Sequence, residues 1–481
     1  MGTHYETAIK KRTRIVATLG PASENPDTLR DMMLAGLDVV RINFSHAQHE
    51  HVTDVVQMVR KVARQTGTQI AILGDLRGPR IRVGEVEGGT IPLNAGSRIM
   101  LTPRQVTGSP DMVSISFPEL AKDLEVGSIL LLDDGNLELR VADLTSKGDI
   151  RCDIVRGGFL SSRRGINVPG RKVSLPPLSK KDLADVDFCL LHDFDFLAQS
   201  FVQTSEDIRQ LNQYIASKGG DIPVIAKIEN LSSINDIENI VQEAYGVMVA
   251  RGDMALEVSL QDVPIAQKRI ISACRRAGRP VITATQMLES MTTSHKPTRA
   301  EVADVANAVL DGSDAIMLSG ESAIGKHPAL VIATMAQIAS RTEESWWKEE
   351  LPKPPPVVSS ADISQTVSDA TSWTAQRLGA STMITYTTSG RTARTISSHR
   401  PNIPILALTS SPRTLNRLCL SWGVKTRLIE SLRGTAHMVH VAFREAVDSG
   451  LAKKGDIITI TAGTPFGHAG STNLLKVERI V

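Results

Sequence analysis

The chain has 481 residues, 41 % of them hydrophobic and 22 % charged, and a formal net charge of +2. At roughly 100–200 residues per domain this describes two to four globular domains, with no field able to gather nucleic acid or coat an anionic membrane. Aromatic residues are 4 %, too few for base-stacking platforms, and no apolar run approaches the ~20 residues of a bilayer span.

The start, Met1 to Arg14, is polar and charged and does not read as a signal peptide. Met1-Gly2 suits myristoylation, but Glu6 stands where that signal needs Ser or Thr. Cys152, Cys189, Cys274 and Cys419 are far apart and form no C-x-x-C pair. A reduced, cytoplasmic chain without disulfides or a zinc site follows from that pattern.

Short β-rich runs recur along the chain. They are Arg14–Gly20, Val39–Ser45, Ile70–Leu76, Phe194–Val202, Ile222–Glu229, Gly246–Asp253, Pro280–Gln286 and Ala315–Glu321. Helical patterns separate most of them, among them Pro26–Ala35, His51–Gln65, Ser232–Ala244 and Val263–Ala277. Strand and helix alternating eight times reads as a (β/α)8 barrel. The alternative is a doubly wound open sheet, and the count of eight favours the barrel. Thr298-Arg299-Ala300-Glu301 reads as a helix capping box.

One gap breaks the rhythm. Between Leu76 and Phe194 the chain is rich in Gly, Val and turn residues, with Gly88-Gly89, Asp133-Asp134-Gly135 and Arg156-Gly157-Gly158. This predicts an all-β domain, residues 79–170, inserted after strand three. Its hinges carry Gly78-Pro79 and Pro169-Gly170. An insertion at the C-terminal mouth of a barrel is placed to act as a lid. The barrel then comprises residues 1–78 and 171–350. The run Leu351-Pro352-Lys353-Pro354-Pro355-Pro356 reads as a stiff linker. A C-terminal α/β domain, residues 357–481, follows, with strands at Met383–Thr387, Ile405–Thr409 and Ile457–Thr461.

Barrel chemistry gathers where strands end. Strand two ends Arg41-Ile42-Asn43-Phe44-Ser45, and alternation puts Arg41, Asn43 and Ser45 on one face. Strand three ends in Asp75. Strand five ends Lys227-Ile228-Glu229, strand six Arg251-Gly252-Asp253, strand seven in Thr285, and strand eight with Ser319 and Glu321. A single charged strand end is most often a solvated cap. Cations, carboxylates and hydroxyls converging on one mouth are a poor fit to that. Glu229 and Asp253 on adjacent strands suit a hard divalent ion such as Mg2+. Arg41 and Lys227 suit an anionic group. Together they describe phosphoryl transfer better than acyl or hydride transfer. No G-x-x-x-x-G-K-[ST] loop is present, so the chain is not a P-loop kinase.

The runs Ala17-Thr18-Leu19-Gly20-Pro21-Ala22-Ser23, Arg41-Ile42-Asn43-Phe44-Ser45-His46, Ala226-Lys227-Ile228-Glu229-Asn230, Val249-Ala250-Arg251-Gly252-Asp253, Ala284-Thr285-Gln286-Met287-Leu288-Glu289-Ser290 and Met317-Leu318-Ser319-Gly320-Glu321 resemble the pyruvate kinase family, in that family's order. The resemblance implies transfer of the phosphoryl group of phosphoenolpyruvate to ADP, giving pyruvate and ATP in the last step of glycolysis. It implies Mg2+ or Mn2+ on Glu229 and Asp253, Lys227 on the phosphoryl group in flight, and Arg41 on the phosphate. The N–H groups of Gly252 and Asp253 would take the substrate carboxylate. Thr285 would help deliver a proton to the enolate carbon, with Ser319 and Glu321 behind it. His46 and Arg82 would contact nucleotide. A homotetramer is also implied. Where the family commonly has Arg, this chain has Gln203, and Ala255 stands where it more often has Gly.

Two further expectations come from that resemblance. Thr387, Thr388, Ser389, Gly390, Arg391 and Thr392 would form an effector site for a phosphorylated metabolite; hydroxyls and N–H groups opening a helix suit phosphate. The family's K+ would use Asn43, Ser45, Asp75 and the carbonyl of Leu76. K+-independent members replace a glutamate of the following segment by lysine. This chain reads Asp75-Leu76-Arg77-Gly78-Pro79-Arg80-Ile81-Arg82-Val83, so Arg80 would supply the charge and K+ would not be required. Two rivals are a barrel lyase or mutase acting on phosphoenolpyruvate or pyruvate, and a binding protein that has lost turnover. Lys227 two residues before Glu229 and the inserted lid argue against the first. Intact Lys227, Glu229, Asp253 and Thr285 argue against the second.

Overall fold

The computed structural model describes residues 11–45, 47–349, 362–465 and 472–481. Eight parallel strands close into a barrel in which each strand pairs with the next in the chain and the eighth returns to the first. They are Arg14–Thr18, Val39–Asn43, Ala71–Asp75, Phe196–Gln199, Val224–Ile228, Gly246–Ala250, Val281–Ala284 and Ala315–Leu318. Their near-continuous apolar runs follow from burial on both faces. Val16, Leu73, Phe196, Ile225, Met248 and Ile282 fill the interior. The outward residues, such as Ile15, Ile42, Ile72 and Val249, pack under the ring of helices.

Every strand stops short of its expected end, because four or five residues cross the barrel. Arg251, Gly252 and Asp253 are the first turn of a helix, Arg251–Glu257, and not the end of a strand. Glu321 lies in the short helix Gly320–Ala323. The helix expected over Ser232–Ala244 is two helices, Leu231–Asn235 and Ile237–Glu243. At the break the Asp236 carboxylate accepts from Asn239 Nδ2 and from the Ser205 N–H, a local alternative to the helical ladder. Thr298 and Glu301 form the expected capping box.

Residues between strands three and four of the barrel form a six-stranded sheet and a two-stranded sheet. Ile99, Leu101, Leu130, Leu139, Val141 and Cys152 are their shared core. The four-residue turn at Asp133-Asp134-Gly135 joins Ile129–Leu132 to Leu137–Leu144, with left-handed φ at all three. Gly78 at the first hinge has φ +71°, and a Cβ there would meet Ser200 and Phe201 at 2.9 Å, so only glycine turns the chain into the inserted domain at that point.

The C-terminal sheet runs Val424–Leu428, Ile405–Thr409, Thr382–Tyr386, Ile457–Gly463, Thr472–Arg479, with the last strand antiparallel. It docks on the bottom of the barrel, opposite the mouth. Cys419 and Leu420 join the barrel's inner core. Arg400 and Asp314, both buried, pair at 3.1 Å, and the guanidinium lies over Trp422. The proline-rich linker lies outside the described residues. No helix among the described residues is long and apolar enough to cross a membrane.

Candidate active site

The floor of the mouth is a chain of alternating charges. Asp75, 1 % exposed, ends strand three and takes Arg41 at 2.7 Å on one oxygen and Lys227 at 3.4 Å on the other. Arg41 also donates to Thr18 Oγ1 at 2.8 Å. Lys227 Nζ continues to Ser200 Oγ at 2.6 Å and Glu229 Oε1 at 3.0 Å. Glu229 Oε2 accepts the Phe201 N–H at 2.6 Å, and Phe201 takes φ +57° to deliver it. Arg41, Asp75 and Lys227 point inward because strands two, three and five alternate their side chains.

Burial and charge compete at each group, and the signs differ. Burial alone would raise Asp75, but Lys227 and Arg41 outweigh it and hold the carboxyl below the usual range. Burial would lower Lys227, but Asp75 and Glu229 outweigh it and keep the ammonium charged above the ordinary lysine range. Glu229 is the exception. Burial raises it, Lys227 pulls it down, and Asp253 pushes it up again, so its carboxyl ends above the usual value. Asp253 beside Glu229 disfavours its ionised form, and two neighbouring carboxylates so placed fit a bound cation. No cluster of three or more His, Cys, Asp or Glu residues suited to a metal is found among the described residues. Two carboxylates leave a hard divalent ion most of its positions for substrate oxygens and water.

Glu229, Asp253 and Glu257 open onto a cavity whose other wall is the lid hinge, with Arg80, Ile81, Asn167 and Val168. Asn167 Nδ2 donates to Glu257 Oε1 at 3.1 Å, and Gln203 Nε2 to the Val173 carbonyl at 2.8 Å. Gln203 therefore still makes a polar contact to the returning hinge. Arg80 is aimed at the lid. Its Nη2 meets Asp134 Oδ1 at 2.5 Å while its Nε is buried without a hydrogen-bond partner. Arg82 donates to the Arg163 carbonyl at 3.0 Å. His46 lies outside the described residues.

Three of the residues expected around K+ have partners within the protein. Asn43 Oδ1 accepts the Ser45 N–H at 3.1 Å, and the Leu76 carbonyl accepts Ser200 Oγ at 2.8 Å. Asp75 holds its two cations. Thr285 Oγ1 donates to the Ala284 carbonyl at 2.6 Å and accepts the Gly252 N–H at 2.9 Å. Glu321, fully buried, accepts the N–H of Ser319 at 2.7 Å and of Leu288 at 3.2 Å. It braces backbone there.

The expected effector loop lies at the far end of the molecule. Thr387 Oγ1 accepts the Gly390 N–H at 2.9 Å, Gly390 has φ +79°, and the helix Arg391–Ser398 begins there. Arg391 pairs with Asp362 at 2.7 Å, and buried Thr392 Oγ1 bonds Thr472 Oγ1 at 2.6 Å. The Thr388 carbonyl accepts Thr414 Oγ1 at 2.7 Å, and Ser389 is exposed.

A closed parallel barrel, a β insertion over its mouth and a buried Arg–Asp–Lys–Glu floor define the class, a barrel phosphotransferase. The comparisons give the family. Residues 10–332 match "Pyruvate kinase, barrel domain" and residues 365–478 match "Pyruvate kinase, alpha/beta domain". The chain is 42 % identical to a pyruvate kinase of Geobacillus stearothermophilus, over 98 % of this chain and 81 % of that one. It is also 42 % identical to pyruvate kinase 2 of Synechocystis, over 98 % and 79 %. A crystal structure of a pyruvate kinase from Cryptosporidium parvum covers 100 % of both chains at a TM-score of 0.90 and 35 % identity. The chain belongs to the pyruvate kinase family.

Proposed function

We propose the following division of labour for the family's reaction, transfer of the phosphoryl group of phosphoenolpyruvate to ADP. The observation that carries it is the Lys227 ammonium, largely buried and held charged between Asp75 and Glu229. Glu229 and Asp253 would hold Mg2+ or Mn2+, which would neutralise phosphate oxygens when bound. Arg41, fixed by Asp75 and Thr18, binds the phosphate. Lys227 stabilises the phosphoryl group as its bond to the enol oxygen breaks and a bond to an ADP oxygen forms. The first-turn N–H groups of Gly252 and Asp253 take the substrate carboxylate. A Cβ at Gly252 would meet nothing nearer than Thr285 Oγ1 at 3.6 Å, so what glycine leaves open there is the cleft itself. Thr285 then delivers a proton to the enolate carbon, with Ser319 and Glu321 behind it. Arg82, together with His46, contacts nucleotide. The lid, residues 79–170, excludes water by closing on its Gly78 and Gly170 hinges. A cytoplasmic homotetramer follows by analogy with the family. The test is pyruvate release from phosphoenolpyruvate that requires both ADP and a divalent ion.

Regulation is the second part of the reading. The Thr387–Thr392 loop takes a phosphorylated effector, supported by exposed Ser389 and the left-handed Gly390 that opens the helix. Such a compound is expected to lower the apparent KM for phosphoenolpyruvate in the wild type and not in Ser389→Glu. A screen of phosphorylated metabolites measures this; no response in wild type, or an equal response in both, sinks it.

A further inference from the structure

Two consecutive residues at the end of barrel strand seven are held in the left-handed region, Thr285 at φ +71° and Gln286 at φ +55°. A β-branched residue takes that conformation only where its surroundings impose it. One guanidinium imposes it here. Arg251 Nε donates to the Ala284 carbonyl at 3.2 Å and Nη2 to the Thr285 carbonyl at 2.6 Å. The carbonyls on both sides of the Thr285 Cα are therefore pinned by one side chain. The same fork closes on Asp304, Nη1 to Oδ1 at 2.7 Å and Nη2 to Oδ2 at 2.8 Å. Bidentate pairing of this kind fixes orientation as well as distance. Asp304 sits in the helix Arg299–Asp311, whose N-terminus the Thr298–Glu301 box secures.

We infer that Arg251 and Asp304 are positioning residues for the Thr285 hydroxyl, and that they govern protonation of the enolate rather than phosphoryl transfer. The inference rests on the reading of Thr285 as the residue that helps deliver the proton. Its geometry is specific. The Thr285 hydroxyl proton points at the Ala284 carbonyl, and Arg251 Nε shares that acceptor. A charged donor on the same oxygen weakens the hydroxyl's hold on it, so the proton can turn toward a carbon in the cleft. Until a carboxylate takes it, the Gly252 N–H holds the hydroxyl oxygen. Because Arg251 immediately precedes Gly252 and Asp253, one residue sets the register between the carboxylate-binding turn and the proton-delivering one.

The experiment compares wild type with Arg251→Met, Arg251→Lys, Asp304→Asn and Thr285→Ala in the full-length enzyme. It reads solvent deuterium incorporation into the pyruvate methyl group, the single-turnover rate of ATP formation, KM for phosphoenolpyruvate and Tm. Misplacing a reacting group by about 1 Å costs on the order of 10²-fold. Arg251→Met is expected to lower deuterium incorporation and kcat by about that factor, with single-turnover ATP formation and KM within about twofold. Arg251→Lys recovers part of the loss, since it keeps one donor but not the fork. Asp304→Asn, at a half-exposed position, keeps the fold and loses roughly tenfold in deuterium incorporation alone. Wild-type deuterium incorporation in Arg251→Met overturns the inference. So does an equal loss in both half-reactions accompanied by a lowered Tm in both the Arg251→Met and Asp304→Asn variants. Undiminished incorporation in Thr285→Ala removes the reading beneath it, and that result is distinguishable because it does not involve Arg251.

Discussion

Replacing Lys227 by Met is expected to lower phosphoryl transfer by ~10²–10³, equivalent to ~2.7–4 kcal/mol of barrier. Methionine keeps much of the volume and removes the one cation bonded at once to Ser200 and Glu229 and near Asp75. The loss falls on the step in which charge moves across the phosphoryl group, so deuterium exchange into pyruvate suffers less. A second signature comes from Glu229. Its carboxyl already lies above the usual range through burial, with Lys227 pulling it down. Without Lys227 it rises further. The charged carboxylate is the form that holds a cation, so divalent affinity falls as pH drops through that raised value. In Lys227→Met this acid limb moves to higher pH than in wild type. Near-normal phosphoryl transfer in the variant, or an unmoved acid limb, contradicts the assignment.

Potassium is expected to leave the wild-type enzyme unchanged within about twofold, and to raise the activity of Arg80→Glu by tenfold or more, or about 1.4 kcal/mol. We propose K+ independence on charge grounds. Asp75, expected among the K+ ligands, already has resident cations in Arg41 and Lys227. Arg80 adds a tethered positive charge on the hinge wall of the cavity that holds Glu229 and Asp253. Its partner Asp134 is 63 % exposed, so that pair is well screened and rearranges at small cost. A glutamate at position 80 would face Asp134 and add negative charge to the cavity wall, which a bound monovalent ion would then balance. Activity with Mg2+ in buffer free of sodium and potassium, with and without KCl at matched ionic strength, measures both enzymes. A tenfold rise in wild type, or an Arg80→Glu enzyme that is fully active and indifferent to K+, contradicts the charge argument.

Eight apolar runs were enough to place every barrel strand, because burial on both faces leaves each strand mostly apolar, with few polar residues such as Arg41 and Lys227 to interrupt it. The ends were less legible. Arg251-Gly252-Asp253 and Ser319-Gly320-Glu321 continue an apolar run without a break, and glycine carries no sign of whether a helix or a strand follows. The ion-pair floor was readable in residue type and alternation, since Lys227 and Glu229 are two apart and Asp75 ends its strand. Ser200 as the bridge from Lys227 to the Leu76 carbonyl was not, nor was Arg251 with Asp304. Those partners lie 27 and 53 residues apart, and only the closed barrel makes them neighbours. The C-terminal strands Val424–Leu428 and Thr472–Arg479 were missed for the opposite reason. Both lie at sheet edges, where polar residues such as Lys425, Arg427, Lys476 and Glu478 interrupt the apolar signal.

The most direct measurement is formation of pyruvate from phosphoenolpyruvate by the wild-type enzyme, followed with a lactate-dehydrogenase couple, with ADP and Mg2+ present together, each left out in turn, and Mg2+ removed by chelator and restored. The account predicts pyruvate and ATP in equal amounts only when both are present, with full recovery on restoring Mg2+. Pyruvate formed without ADP, or at an undiminished rate after chelation, would contradict it.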